Sequence, residues 1–148
     1  MSCNKNLKNC HYKTSAAVYN PNPQALTAGS KPLTLTGTVT TDTGVGACVN
    51  GNDITINTPG LYYISADITA TATAAGDVEL DIRRDGFLLP STSRVLTAGA
   101  GAVVSLHTED IRYVPIACGG ANPVYTVCAS AVGGGSVSLV SARLVKLA

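Results

Sequence analysis

Residues 59–86, PGLYYISADITATATAAGDVELDIRRDG, decide the architecture. Within 61–74 the apolar side chains Tyr62, Ile64, Ala66, Ile68, Ala70 and Ala72 recur at every second position, and Ser65, Asp67, Thr69, Thr71 and Thr73 fill the places between. A period of two belongs to an extended strand, whose successive side chains point to opposite faces. Beyond Gly76, Val78, Leu80 and Ile82 alternate in the same way with Asp77, Glu79, Asp81 and Arg83, and the stretch closes on the turn pair Asp85-Gly86. Each strand therefore has one face to bury and one to wet, the pattern of antiparallel sheets packed face to face.

Working outward, the same alternation appears at 33–40, LTLTGTVT, with Leu33, Leu35 and Val39 on one face and threonines on the other. Further strands are expected at 16–19, 53–57, 87–95, 102–108, 111–117, 124–132 and 137–147. Gly51, Pro59-Gly60, Gly76 and Asp85-Gly86 punctuate them, the Asn-Pro repeat at 20–23 forbids helix and sheet interior alike, and Gly133 to Gly135 is read as a flexible hairpin. About ten strands and no helical period predict an all-β, two-sheet jelly-roll sandwich.

The bulk composition narrows the class. With 148 residues and 45% hydrophobic content the chain makes one domain, and with 5% aromatics, no Trp and one Phe its core is aliphatic. Aliphatic side chains bury less area apiece than aromatic ones, so such a subunit gains from burying surface against copies of itself. Residues 1–14 read as a polar basic arm, either disordered or an anchor, and 15–148 as the head. Four lysines (Lys5, Lys8, Lys13 and Lys31) and no acid precede Asp42, giving +4; the remaining six basic and nine acidic residues give −3, for a net +1. Lys5, Lys8 and Lys13 are the expected contacts of the arm with an acidic particle surface; the plainer reading is a solubilising tail. Lysines without interleaved aromatics do not indicate nucleic acid, and no run is long enough to span a membrane. The opening residues lack an apolar signal region, so synthesis in the cytoplasm is expected.

Five cysteines at irregular spacing do not form a secreted disulfide framework. Cys118 and Cys128 flank GGANPVY and either pair across a hairpin in an oxidising compartment or stay free, the second being favoured. Cys3, Cys10 and His11 lack the paired spacing of a metal site, and no phosphate loop is present, so neither metal nor cofactor is expected.

Three local matches carry a resemblance to the trimeric jelly-roll superfamily of tumour-necrosis-factor-like and complement-globular-head-like domains, which includes phage fibres and the heads of spore-surface collagen-like glycoproteins. PGLYYIS at 59–65 resembles the family's proline-glycine-tyrosine strand, and DVELDIRRDG at 77–86 its strand ending in a charge and a turn. VVSLHTEDIRYV at 103–114 resembles its leucine and glycine-aspartate strand, with Glu109 in the usual glycine position. The aromatic-rich last strand is replaced here by Leu139, Val140, Leu144 and Val145, and no collagen stalk precedes the head. The resemblance implies a homotrimer in which Leu61, Tyr63 and Ser65, alternating with core-facing Tyr62, Ile64 and Ala66, line the threefold axis together with Val103.

Catalysis would need a nucleophile beside a base or two carboxylates in different environments, and neither is legible. No enzyme is expected; a cluster of His107, Glu109 and an acid around a deep pocket would revive that reading. His107 shares a face with Val103 and Ser105 and is expected to be neutral, either buried or interfacial. At a threefold axis, its protonation below about pH 6.5 would set like charges together and loosen a trimer. Asp77, Glu79 and Asp81 form a row of acids on one strand, spaced too widely to share one calcium ion, and are expected on a solvated face balanced by Arg83. The function expected is structural: a homotrimeric phage head-fibre, decoration or fibre-tip protein on the virion surface, held by its arm. The alternative is a spore-surface or receptor-binding head that recognises glycans through loops around 87–93 or 119–125.

Overall fold

A computed structural model describes residues 15–35, 39–41, 46–116 and 119–148. The expected arm at 1–14 and Cys118 lie outside these residues. Among the described residues there is no α-helix; the chain forms β1 (Ser15–Asn20), β2 (Gln24–Leu26), β3 (Lys31–Pro32), β4 (Val39–Thr41), β5 (Ala47–Asn50), β6 (Asp53–Ile56), β7 (Gly60–Ala72), β8 (Gly76–Arg84), β9 (Phe87–Leu88), β10 (Arg94–Ala98), β11 (Val103–Val114), β12 (Val124–Ala131) and β13 (Gly135–Lys146).

The strands make two antiparallel sheets, one ordered β11-β7-β13-β1-β4 with β2 beside β13, the other ordered β10-β8-β12-β6-β5 with β3 beside β12 and β9 beside β8. The alternation read in 59–86 fixes what lies between them: Tyr62, Ile64, Ala66, Ile68, Ala70 and Ala72 of β7 face Val78, Leu80 and Ile82 of β8 across a core that excludes water. Tyr125, Val127, Ala129 and Ala131 of β12 and Val137, Val140, Ala142 and Leu144 of β13 complete it. The buried Tyr62 hydroxyl donates to the Thr58 carbonyl at 2.8 Å.

Four expectations are corrected. Residues 33–40 are not one strand, because the chain changes sheets within them: Pro32 pairs with β12, whereas Val39–Thr41 pairs with β1 in the opposite sheet. Leu33 and Leu35 are nevertheless buried, their amides bonded to Val127 and Gly51. Residues 87–95 are divided by a 3-10 turn at Pro90–Thr92, where proline cannot donate to a ladder. The buried Thr92 hydroxyl takes the place of the missing strand, accepting from the Ile82 amide at 2.9 Å and donating to the Leu89 carbonyl at 2.7 Å. Conversely, 102–108 and 111–117 join as the 12-residue β11, in which Glu109 and Asp110 continue the ladder. Finally, Gly133 to Gly135 is a packed corner, since a side chain on Gly133 or Gly135 would lie 2.5 Å from the Ala74 or Thr71 carbonyl oxygen.

The row of acids is also partly corrected. Asp77 accepts from Thr97 at 2.6 Å and Glu79 from Ser93 at 3.0 Å, but Asp81 is buried, held by Arg83 Nε at 3.0 Å. No group of metal-ligating side chains occurs among the described residues. Cys128 is buried, and burial pushes its thiol pKa up; Cys48 is exposed, and both are free thiols.

Candidate functional site

The sheet containing β7 buries one face and turns the other outward. In register, Leu61 stands opposite Tyr113, Tyr63 opposite Ile111, Asp67 opposite His107, and Thr71 opposite Val103. On the other flank of β7, Tyr63 is opposite Val145 and Asp67 opposite Ser141. A register shift between Val137 and Leu139 sets the phase of β13, so that Val140, Ala142 and Leu144 point inward and Leu139 and Val145 outward.

Leu61, Tyr63, Ile111, Tyr113, Val145 and Leu147 thereby gather at the end of this outer face where the chain terminates. Ile111, Tyr113 and Leu147 are 61%, 62% and 51% exposed, an apolar patch too concentrated for an ordinary solvated surface. Of the sequence-predicted interface residues, Leu61 and Tyr63 belong to this patch. Val103 shares the face and is exposed, but its partner Thr71 lies ten residues along β7 from Leu61, about 33 Å away. Ser65 is on the same face and buried. Ile111, Tyr113, Val145 and Leu147 were missed. Reading 103–114 as one strand puts Ile111 and Tyr113 in phase with Val103, and that phase was the available signal. Lys5, Lys8 and Lys13 lie outside the described residues.

A polar cluster interrupts the face beside the patch. His107 Nδ1 is 2.7 Å from Asp67 Oδ1, His107 Nε2 is 3.3 Å from Glu109 Oε2, and the Tyr63 hydroxyl donates to Glu109 Oε2 at 2.7 Å. The Asp67 bond, then the Glu109 bond, raises the His107 pKa; the Tyr63 and His107 bonds lower that of Glu109. Of the two expected settings for His107, buried or interfacial, the single subunit does not bury it: its side chain is 50% exposed, and the two carboxylates raise its pKa above that of an ordinary histidine. His107, Glu109 and Asp67 do converge, as an acid–base site would require, but on an open sheet face. Both ring nitrogens face carboxylate oxygens.

A second apolar surface lies along the free edge of the other sheet, where β10 exposes Val95 and Leu96. The two antiparallel sheets make a jelly-roll sandwich, a fold shared with solved tumour-necrosis-factor-like structures. No family model matches the chain, and no curated protein matches it in sequence. Solved structures share the fold at low identity. Murine APRIL superposes with a TM-score of 0.67 at 12% identity, over 92% of this chain and 100% of that one. Eiger TNF from S. frugiperda gives 0.65 at 11% identity, over 92% and 93%. The vertex protein P5 of PRD1 gives 0.58 at 15% identity, over 91% and 97%.

Proposed function

We propose that the chain is a structural surface protein that assembles as a homotrimer through the outer face of β11, β7 and β13 and is displayed on a virion as a head-fibre, decoration or fibre-tip protein. The observation that carries this reading is the apolar patch of Leu61, Tyr63, Ile111, Tyr113, Val145 and Leu147. Val95 and Leu96 on the β10 edge offer a surface of matching character elsewhere on the same subunit. Contact between two different surfaces of identical subunits is heterologous and closes only as a ring. The superfamily resemblance supports three subunits in that ring, and the likeness to the PRD1 vertex protein supports a virion setting. No catalytic role is proposed.

The arm at 1–14, with Lys5, Lys8 and Lys13, is proposed as the particle anchor. Three arms on one trimer would raise the combined hold over that of one by about 10² to 10⁴ fold. The rival glycan-binding reading places its contacts around 87–93 and 119–125. The strand directions put both loops at the end that carries Ser15: Val124 bonds Asp85, Ile56 bonds Pro123, and Leu61 bonds Ala148, beside the Ser15–Val145 pair. With the proposed anchor before Ser15, those loops share the end of the head from which the arm departs.

Sedimentation of the full chain should give the mass of a trimer, and deletion of residues 1–14 should leave that mass intact while abolishing co-sedimentation with particles. A monomer at micromolar concentration would overturn the assembly, and retained attachment would overturn the anchor.

A further inference from the structure

We propose that assembly through this face is proton-linked, tight while His107 carries both ring protons and weakened when it loses one. The inference rests on the self-association reading above and specifies its regulation. It follows from hydrogen-bond geometry. Both ring nitrogens of His107 face carboxylate oxygens, Asp67 Oδ1 at 2.7 Å and Glu109 Oε2 at 3.3 Å. A neutral imidazole has one donor and one acceptor, so only imidazolium can donate to both. On deprotonation the proton stays on Nδ1, which holds the shorter bond, and the Nε2 lone pair is left facing Glu109.

In a lone subunit that mismatch is mild. The side chains of His107, Asp67 and Glu109 are 50%, 51% and 54% exposed, and water supplies the missing donor. Covering the face with a second copy expels that water, and an unmatched acceptor between two carboxylates becomes expensive. Proton linkage therefore belongs to the assembly far more than to the fold.

The surrounding charges from every packed strand keep this sign. From β7 come Asp67 and the Tyr63 hydroxyl, which stays bonded to Glu109. From β13 comes Arg143, exposed on the same side and separated from Glu109 by Ser65. From β1 comes Tyr19, opposite Ser141. From β10 comes Arg94, whose charge helps lower the Glu109 pKa. Neither arginine is among the causes acting on His107, whose pKa is raised first by Asp67 and then by Glu109. A raised histidine contributes fully below its ordinary range and loses that contribution as pH climbs through the raised value. A lowered Glu109 contributes above the ordinary carboxylate range and loses its share on acidification. The network is complete at mildly acidic pH, so alkalinisation loosens the assembly. This reverses the sequence expectation, which had protonated histidines repelling one another without their carboxylates.

The test is a dilution series of the full chain by sedimentation or mass photometry at about pH 6 and about pH 9, with His107→Gln and His107→Lys alongside. If assembly raises the His107 pKa by about one further unit, the linkage is about tenfold per subunit and about 10³-fold in the monomer–trimer constant. His107→Gln should be weak and flat with pH, and His107→Lys, permanently charged, should hold the trimer at the alkaline end. A wild-type trimer whose dissociation does not change with pH, or a His107→Gln variant with the wild-type slope, overturns the inference and leaves the trimer standing. A monomer at every pH overturns both.

Discussion

Truncating Ile111 to alanine separates assembly from folding. The side chain is 61% exposed on the outer face, so its loss leaves the single subunit nearly as stable as before, within about 0.5 kcal/mol for a surface change. Complete burial of an isoleucine is worth about 1.5–3 kcal/mol, and the three-fifths still in water would contribute about 1–2 kcal/mol when a second copy covers it. Threefold repetition makes this about 3–6 kcal/mol per trimer, or about 10² to 10⁴ in the association constant. Sedimentation equilibrium over a dilution series reads the constant directly, and a thermal melt at the lowest concentration reads the subunit. Val132→Ala is the control, because Val132 is 64% exposed just after β12 and its amide bonds the Asp77 carbonyl, at the opposite end of the strands from Leu61. An Ile111→Ala protein that dissociates at the wild-type concentration would refute the placement of the interface. A lowered melting point in the dilute monomer would show that Ile111 serves the fold instead.

Two further outcomes test the interior. Thr92→Val keeps the shape but strips the hydroxyl that serves the Ile82 amide and Leu89 carbonyl, and should cost about 1–3 kcal/mol in denaturant unfolding at matched concentration, with Thr92→Ser restoring most of it. Tyr125→Phe should be neutral or stabilising by about 1 kcal/mol in the same assay, because its hydroxyl is buried without a hydrogen-bond partner among the described residues; a loss of similar size would reveal a partner.

The fold was legible wherever one strand keeps one partner set along its whole length. In β7 and β8 each apolar side chain meets the opposite sheet, so a period of two in sequence became a period of two in burial. It was not legible where the chain changes partners inside an alternating run. Residues 31–41 leave β12 for β1, and no local pattern records that exchange, because Leu33 and Leu35 are buried whichever sheet claims the backbone. At 109–110 two acids looked like a break, yet Glu109 is bonded by Tyr63 and His107, and Asp110 by Arg112 at 2.9 Å. Charges that find partners along the strand or across to its neighbour do not interrupt it. The polar cluster escaped for a related reason: Asp67 and His107 are forty residues apart and meet only through register.

The two outer faces of the sandwich differ in the way the proposed assembly requires. On β8 every outward position is polar, and Asp77, Glu79 and Asp81 are each bonded by a neighbouring side chain, which satisfies these β8 positions within the subunit. On β7 and β13 apolar residues come in adjacent pairs, Leu61-Tyr62, Tyr63-Ile64, Leu139-Val140 and Leu144-Val145. Successive strand residues point to opposite sides, so one member of each pair must leave the core. Tyr62, Ile64, Val140 and Leu144 go in; Leu61, Tyr63, Leu139 and Val145 go out. β7 and β13 are neighbours in the sheet and β11 flanks them with Ile111 and Tyr113, so the outward members gather on one face. A strand segment that is apolar on both sides reads as one buried on both sides, and in the proposed trimer the second cover comes from another copy.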